Sequence, residues 1–487
     1  MEIKYIKMQT GEICMIIREY ETAIVGGGLA GCAAAISSAR LGSKTVLIEQ
    51  SGVLGGQATL GIVTPMGAVT TNKTDTEDEK FFGGICREIY TDAKKMTLKY
   101  GAPKNSDPSV TEINPHILKY VLLKKVLDSG AFVMFHSYVT DVCCSDGKIT
   151  SVTAAVKSGS ISVRAKEFVD ASGDADLVRM SGAPYHIGCE SGAYDMLKDE
   201  GFAKSHVETL LNETQDGCNV NISSGQVQPV SSFFRIGGVD VEKVSKYNNK
   251  VLTYENTGID RTVLEKAPYF GKCGFEPDGD RIPMPQGRVL VSAGTVCGTA
   301  SVNMSRVVNI DATDADSLNS GECLAQEQVI NLIDFLQNYI PGFENAYLLE
   351  SANTLGVRES ARMVGKYMLT GADVIECRRF DDAVAYGSYI IDIHNPNGSS
   401  SGAIGGKIKG SSYDIPLRAL CSAKYSNLFA AGRCISADHI AHSSSRVQGT
   451  CLMTGEAAGV AAALAAQDGS VDAVKIKSVL DKMRREV

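Results

Sequence analysis

The chain has 487 residues, 44% of them hydrophobic, and a formal net charge of −8. This describes an ordinary globular chain with ample apolar material for a core, long enough for about three average units or one large nested domain. A pI near 5.5 lacks the basic footprint that phosphate backbones demand, so no nucleic-acid partner is expected.

Residues 1–20 carry Glu2, Lys4, Lys7, Glu12 and Arg18 with no apolar run ahead of a small-residue cleavage site. They read as a loose N-terminal lead rather than a secretory signal. No apolar stretch reaches a membrane-spanning length: the closest, Gly459 to Ala466, is short and small-residue-rich. A cytoplasmic protein without a membrane partner is therefore expected. The fourteen cysteines contain no Cys-x-x-Cys, and Cys32, Cys297 and Cys421 lie among apolar neighbours. Reduced, packing thiols fit this pattern, with neither zinc nor an iron–sulfur cluster.

Residues 22–49 hold the most informative pattern. Thr-Ala-Ile-Val precedes Gly-Gly-Gly-Leu-Ala-Gly, an Ala-rich helical run follows, and Lys-Thr-Val-Leu-Ile-Glu forms a second strand. Gly26 permits the tight turn, Gly28 lets the backbone approach a pyrophosphate, and Gly31 lets helix and strand pack closely. The helix N-terminus faces the phosphates, and Glu49 stands where an acid accepts hydrogen bonds from ribose hydroxyls. This unit binds NAD or FAD. A second glycine loop follows at Gly55-Gly56, and residues 70–80 read as an exposed polar excursion. Apolar spacing predicts a helix over Asn114 to Asp128 and a strand from Ala131. Alternating runs at Tyr138 to Cys144, Ile149 to Val156 and Ile161 to Val169 predict a three-stranded antiparallel meander. That meander ends in Asp170-Ala-Ser-Gly-Asp174, another glycine turn.

The order of fingerprint, double-glycine loop, meander and Ala-Ser-Gly-Asp turn resembles flavoproteins of the glutathione reductase structural type, in their fumarate reductase-like branch. Leu355-Gly-Val-Arg-Glu-Ser-Ala-Arg362, Leu369-Thr-Gly-Ala-Asp-Val374 and Asn427-Leu-Phe-Ala-Ala-Gly-Arg-Cys-Ile-Ser436 are similar to the FAD-dependent oxidoreductase family called FAD_oxidored. Several separated loops suit a long, extended cofactor and favour FAD over NAD. The resemblance implies an α/β fold: a Rossmann-like FAD-binding domain with a parallel sheet and the meander, built discontinuously from residues 21–185 and 346–487. Residues 186–345 then form an inserted α+β cap or substrate domain. The FAD contact set expected from fingerprint and resemblance is Gly26, Gly28, Ala30, Gly31, Glu49 and Gln50, then Gly55, Gly56, Gln57 and Thr59. Val139, Ala171, Gly173, Asp174, Gly432, Arg433, Thr450, Cys451 and Leu452 complete it.

FAD brings the electron chemistry, so the protein must supply position, charge and a proton carrier. His439 and His442 stand three apart, in a chain with seven histidines, between the last strand and the helix expected at the flavin. Either is a candidate general base, or a backbone-bonding residue of that loop. Related sequences often carry glycine where this chain has Ser443 to Ser445. Arg358 and Arg362 flank Glu359 at helical spacing, which suits either an anion site or a structural ion-pair network; Arg446 and His394 are further candidates, His394 opening a Gly/Ser-rich stretch, 398–412, that reads as a lid or an ordinary loop. Either Phe233 or Phe234 is expected to line the pocket.

The expected activity is hydride transfer between a small organic substrate and a non-covalently bound FAD, as a dehydrogenase or reductase. The second electron donor or acceptor is left open, as is a homo-oligomer. No second glycine fingerprint marks a nicotinamide site. The rivals are a flavin monooxygenase and a flavin-carrying electron-transfer subunit, and the absence of Trp excludes the Trp-rich signature of flavin halogenases.

Overall fold

The computed structural model of the chain describes residues 4–6, 15–67, 69, 82–104, 112–191, 224–245, 291–394, 396, 403–406 and 408–485. Residues 70–80 and 398–402, read above as an excursion and as the start of a lid, lie outside them.

A five-stranded parallel sheet forms the centre, in the order Leu428–Ala430, Glu167–Asp170, Thr22–Val25, Thr45–Ile48, Phe132–Met134. Its strands are apolar on both faces because both faces are covered. Ala23, Val25, Val46, Ile48 and Phe168 pack toward the meander. Ile24, Leu47 and Val169 pack on the other side, against helices Leu29–Arg40 and Gln448–Asp468. Those helices approach until backbones touch: a Cβ on Gly455 would lie 2.1 Å from the Ala30 carbonyl. By length and composition Gln448–Asp468 would also cross a membrane, contrary to the expectation that no stretch is long enough. Its whole apolar window is buried in this core, where Ala and Gly serve close packing.

The meander Tyr138–Ser145, Lys148–Val156, Gly159–Arg164 is present, but two sequence expectations change around it. The run Ile161 to Val169 is two strands, because the chain crosses from the meander into the parallel sheet at Ala165-Lys166. The described parts of the N-terminal lead, read above as loose, are strands. Met15–Glu19 pairs in parallel with Gly159–Arg164, and Lys4–Ile6 pairs with Met15–Glu19. The two crossings are coupled: the Tyr20 N–H donates to the Arg164 carbonyl (2.9 Å) and the Lys166 N–H to that of Glu21 (3.1 Å). Segments 15–25 and 159–170 thus run side by side through both sheets. The meander edge would otherwise leave its backbone groups unpaired.

Above the sheet's carboxyl ends sits a four-stranded antiparallel sheet, in the order Val291–Ala293, Ala300–Val302, Phe234–Gly237, Tyr347–Ser351. Helix Ala315–Tyr339, capped by the Asp314 carboxylate on the Ser317 N–H (2.8 Å), closes its core through Phe335 and Leu336 against Phe234 and Ile236. This sheet takes its edge strand from beyond residue 345, while Tyr185–Ile187 pairs with Ala361–Met363 outside it.

Candidate functional site

The carboxyl ends of the parallel strands and the antiparallel sheet enclose a cleft of about 450 Å³, where α/β sheets carry their ligands. At one end the fingerprint behaves as its spacing predicts. A Cβ on Gly31 would lie 1.8 Å from the Gly26 carbonyl oxygen, so that glycine serves packing. A Cβ on Gly28 would meet nothing within 4 Å and faces the open cleft. Glu49 is nearly buried, its Oε2 accepting from the Gly27 N–H (2.6 Å) and its Oε1 from that of Ser51 (2.7 Å).

Most of the expected contact set lines the cleft: Gly26, Gly28, Ala30, Glu49, Gln50, Gly55, Gly56, Gln57, Val139, Ala171, Gly173, Asp174, Gly432, Arg433 and Cys451. Gly31, Thr59, Thr450 and Leu452 do not. Thr59 is turned inward, its hydroxyl donating to the Leu54 carbonyl (2.8 Å), and Thr450 and Leu452 are fully buried on the core side of their helix. The wall also holds polar atoms without a partner inside the protein: Gln57 Oε1, Arg433 Nη1 and Gln448 Oε1. Buried polar atoms are rarely left so. Together with the vacant approach at Gly28 and the uncapped helix start at Val447, they fit an extended, anionic, hydrogen-bonding cofactor. Arg433 is aimed by Asp174 (3.1 Å), which the Ser360 hydroxyl also holds (2.5 Å). The Cys451 thiol donates to the Arg446 carbonyl (3.1 Å), and burial pushes it up to about 12, so it packs rather than reacts.

His394, Arg358 and Arg446 line the far end of the cleft, with Asn303, Phe233, Tyr389 and Asp392. Of the phenylalanine pair, Phe233 faces the cleft and Phe234 the core, as alternation in a strand requires. Arg358 is not helical: residues 357–360 are extended and lead into Ala361–Met363. Arg358 and Glu359 therefore point to different surroundings. Arg358 donates to the Pro229 carbonyl (2.8 Å) and Asn303 Oδ1 (3.4 Å), whereas Glu359 is fully buried.

His439 and His442 do not line the cleft. Both lie in helix His439–Ser445, capped by Asp438 (2.7 Å to the Ala441 N–H), and both are buried outside the cleft lining. His439 Nδ1 lies 2.8 Å from Glu359 Oε1. Arg362 pairs with Glu359 and Glu190 and donates to the Ala437 (2.9 Å) and Gly188 (2.6 Å) carbonyls. Burial opposes ionisation of Glu359, yet His439 and Arg362 outweigh it and hold the carboxyl well below its usual range. His442 is pushed well below its ordinary value, by burial first and by the Arg362 charge next. This is the ion-pair alternative for Arg362, realised as a fastening of three segments. Replacing Glu359 with Ala removes the buried carboxylate that Arg362 and His439 share and is expected to cost about 3–5 kcal/mol, measured as a lowered midpoint in denaturant unfolding.

The serines where glycine is frequent have a definite task. Ser443 Oγ accepts from the Asp392 N–H (3.2 Å), and the Ser444 hydroxyl donates to the Tyr389 carbonyl (2.7 Å). They anchor the strand Ile391–His394 that carries the polar end of the cleft.

A parallel-sheet dinucleotide unit whose cleft draws on four separated loops defines a flavoprotein class of site. The chain belongs to the FAD dependent oxidoreductase family, which it matches over residues 21–483. FAD is accordingly its cofactor, and Gly28, Glu49, Gln57, Arg433 and Gln448 line the cleft whose shape and polar atoms fit it. No curated protein matches the sequence. Similar solved structures include a geranylgeranyl bacteriochlorophyll reductase-like protein from Thermoplasma acidophilum, 14% identical at a TM-score of 0.44, covering 96% of this chain and 84% of that one. The flavin-dependent brominase Bmp2 is 13% identical at 0.43, covering 96% and 83%. The p-nitrophenol 4-monooxygenase PnpA from Pseudomonas putida DLL-E4 is 10% identical at 0.41, covering 96% and 85%.

Proposed function

We propose that this flavoenzyme transfers hydride between a small organic substrate and its FAD, with His394 as the proton carrier. The observation that carries the proposal is the position of His394: it lines the cleft, while His439 and His442 are buried outside it. When bound, FAD supplies a two-electron acceptor or donor. The residues of the chain supply the rest. Burial first, and the Arg358 charge next, push His394 down to about 3, so it is neutral at physiological pH, a weak base that takes the proton of a substrate hydroxyl or amine only as hydride departs and that proton becomes acidic. Asp392 Oδ1 stands 3.6 Å from its Nε2, and Gln228 Oε1 accepts its backbone N–H (3.1 Å). These contacts hold the ring toward the cleft. Phe233, Leu60, Val63 and Pro65 give the same cleft an apolar wall that limits water.

The test is an anaerobic screen in which the FAD-loaded protein is mixed with small metabolites and the flavin absorbance is followed. Direct hydride transfer predicts bleaching without oxygen and without a nicotinamide. Bleaching by NAD(P)H alone, followed in air by a product carrying oxygen from O₂, would instead establish a monooxygenase.

A further inference from the structure

Among the described residues, the far end of the cleft carries more positive than negative charge. Arg358 and Arg446 both face it, and Arg306 stands close behind, almost wholly buried. Arg358 is held by a carbonyl and an amide oxygen, and among the described residues no carboxylate lies within ion-pair distance of it. Arg446 has one such partner, Asp392 Oδ2 at 3.3 Å, and its Nε has none. The other carboxylates on the cleft wall are engaged elsewhere. Glu49 holds backbone N–H groups, Asp174 pairs with Arg433, Asp176 with Arg179, and Glu322 accepts from the Leu355 N–H. Asp392 must therefore answer several cations at once. Burial opposes its ionisation, but His394, Arg446 and Arg358 hold it well below the usual carboxylate range. The proton affinity of Arg358 is lowered by burial first, then by the Arg446 and Arg306 charges. A buried cation such as Arg358, with no matching carboxylate among the described residues, is costly, and a planar guanidinium fork fits a carboxylate in two bonds.

We propose that this end of the cleft is a carboxylate site. The substrate is a small organic acid, its carboxylate seated between Arg358 and Arg446 and its reacting carbon carried toward the flavin side of the cleft. The inference rests on the hydride-transfer proposal and names its substrate class. It also couples binding to chemistry. Burial is the first cause of the depressed His394 and the Arg358 charge the second; a carboxylate that neutralises Arg358 relieves the second, so the base strengthens in part when the correct substrate is in place.

The experiment uses oxidised, FAD-loaded protein and the probes benzoate and succinate. Benzamide and succinamide serve as neutral matches, and inorganic phosphate as a general anion, all at constant ionic strength. Binding is read from the flavin difference spectrum and by calorimetry. The acids are expected to saturate at least ~10-fold below the amides and below phosphate, since the amides lack the charge that a charge-assisted bond needs. Arg358→Met and Arg446→Met should each weaken acid binding by roughly 10- to 100-fold at unchanged FAD content. Equal affinity for acids and amides would overturn the proposal on the native protein, whether or not the variants fold. So would equal affinity for phosphate, or acid binding untouched in folded, FAD-loaded variants. The two proposals fail separately. Bleaching by a neutral substrate together with absent acid binding removes the carboxylate site and keeps hydride transfer. Tight acid binding with no bleaching by any organic compound keeps the site and removes hydride transfer.

Discussion

Gly28→Val yields a folded protein that retains no FAD. The two halves of this outcome come from different observations. Gly28 has φ −65° and ψ −177°, a conformation open to any residue, and its Cβ would enter empty space. The substitution therefore leaves the sheet, the helix and their packing untouched. The space it fills is the one through which the pyrophosphate must approach the helix N-terminus. Native-like circular dichroism, together with a flavin-to-protein ratio near zero after incubation with FAD and desalting into FAD-free buffer, checks both halves. Gly31→Ala is the contrasting case. Its Cβ would stand 1.8 Å from the Gly26 carbonyl, so it should fail at folding rather than at binding. Stoichiometric flavin in Gly28→Val would remove the fingerprint from the binding site.

His394→Asn is expected to keep FAD at full stoichiometry and to slow flavin reduction by about 10²- to 10⁴-fold, the usual worth of a positioned general base. Asparagine preserves the backbone N–H to Gln228 and much of the volume, so the strand Ile391–His394 stays anchored through Ser443 and Ser444. It removes the ring nitrogen that accepts a proton. Because His394 is held neutral to about pH 3, the native rate should show no loss from its protonation between pH 5 and 8. Anaerobic stopped-flow measurement with a substrate from the bleaching screen reads both the rate and its pH dependence.

How far the sequence shows this site depends on whether the chemistry is local. Gly26, Gly28 and Glu49 belong to one strand–turn–helix–strand unit whose spacing encodes its geometry. Gly55, Gly173 and Gly432 sit at comparable turns, and all of them reach the cleft. The far end is assembled differently. Asn303, Arg358, Asp392 and Arg446 come from segments up to 143 residues apart in the chain, and no local pattern announces their meeting. His439 and His442 stood out because a His pair in a polar loop beside the last helix resembles a reacting cluster. Sequence spacing places both on one helix, as the structure does. It cannot say that Glu359, reaching in from an extended segment, draws that face away from the cleft. Arg358 and Arg362 misled for a related reason: an i, i+4 pair looks helical, but Ala361–Met363 pairs with Tyr185–Ile187, and tertiary pairing overrides the local pattern. The N-terminal strands were hidden because Met15–Glu19 takes its parallel partner from the sequence-distant meander strand Gly159–Arg164.

The central claim is that the reacting end lies at His394 and not at the buried pair. The most direct measurement is the anaerobic flavin-reduction rate of His394→Asn and His442→Asn, each at known FAD content, against the native protein. The account predicts a loss of 10²-fold or more for His394→Asn and a rate within about threefold of native for His442→Asn, whose effect falls on stability. A native rate in His394→Asn together with a slow His442→Asn would contradict it.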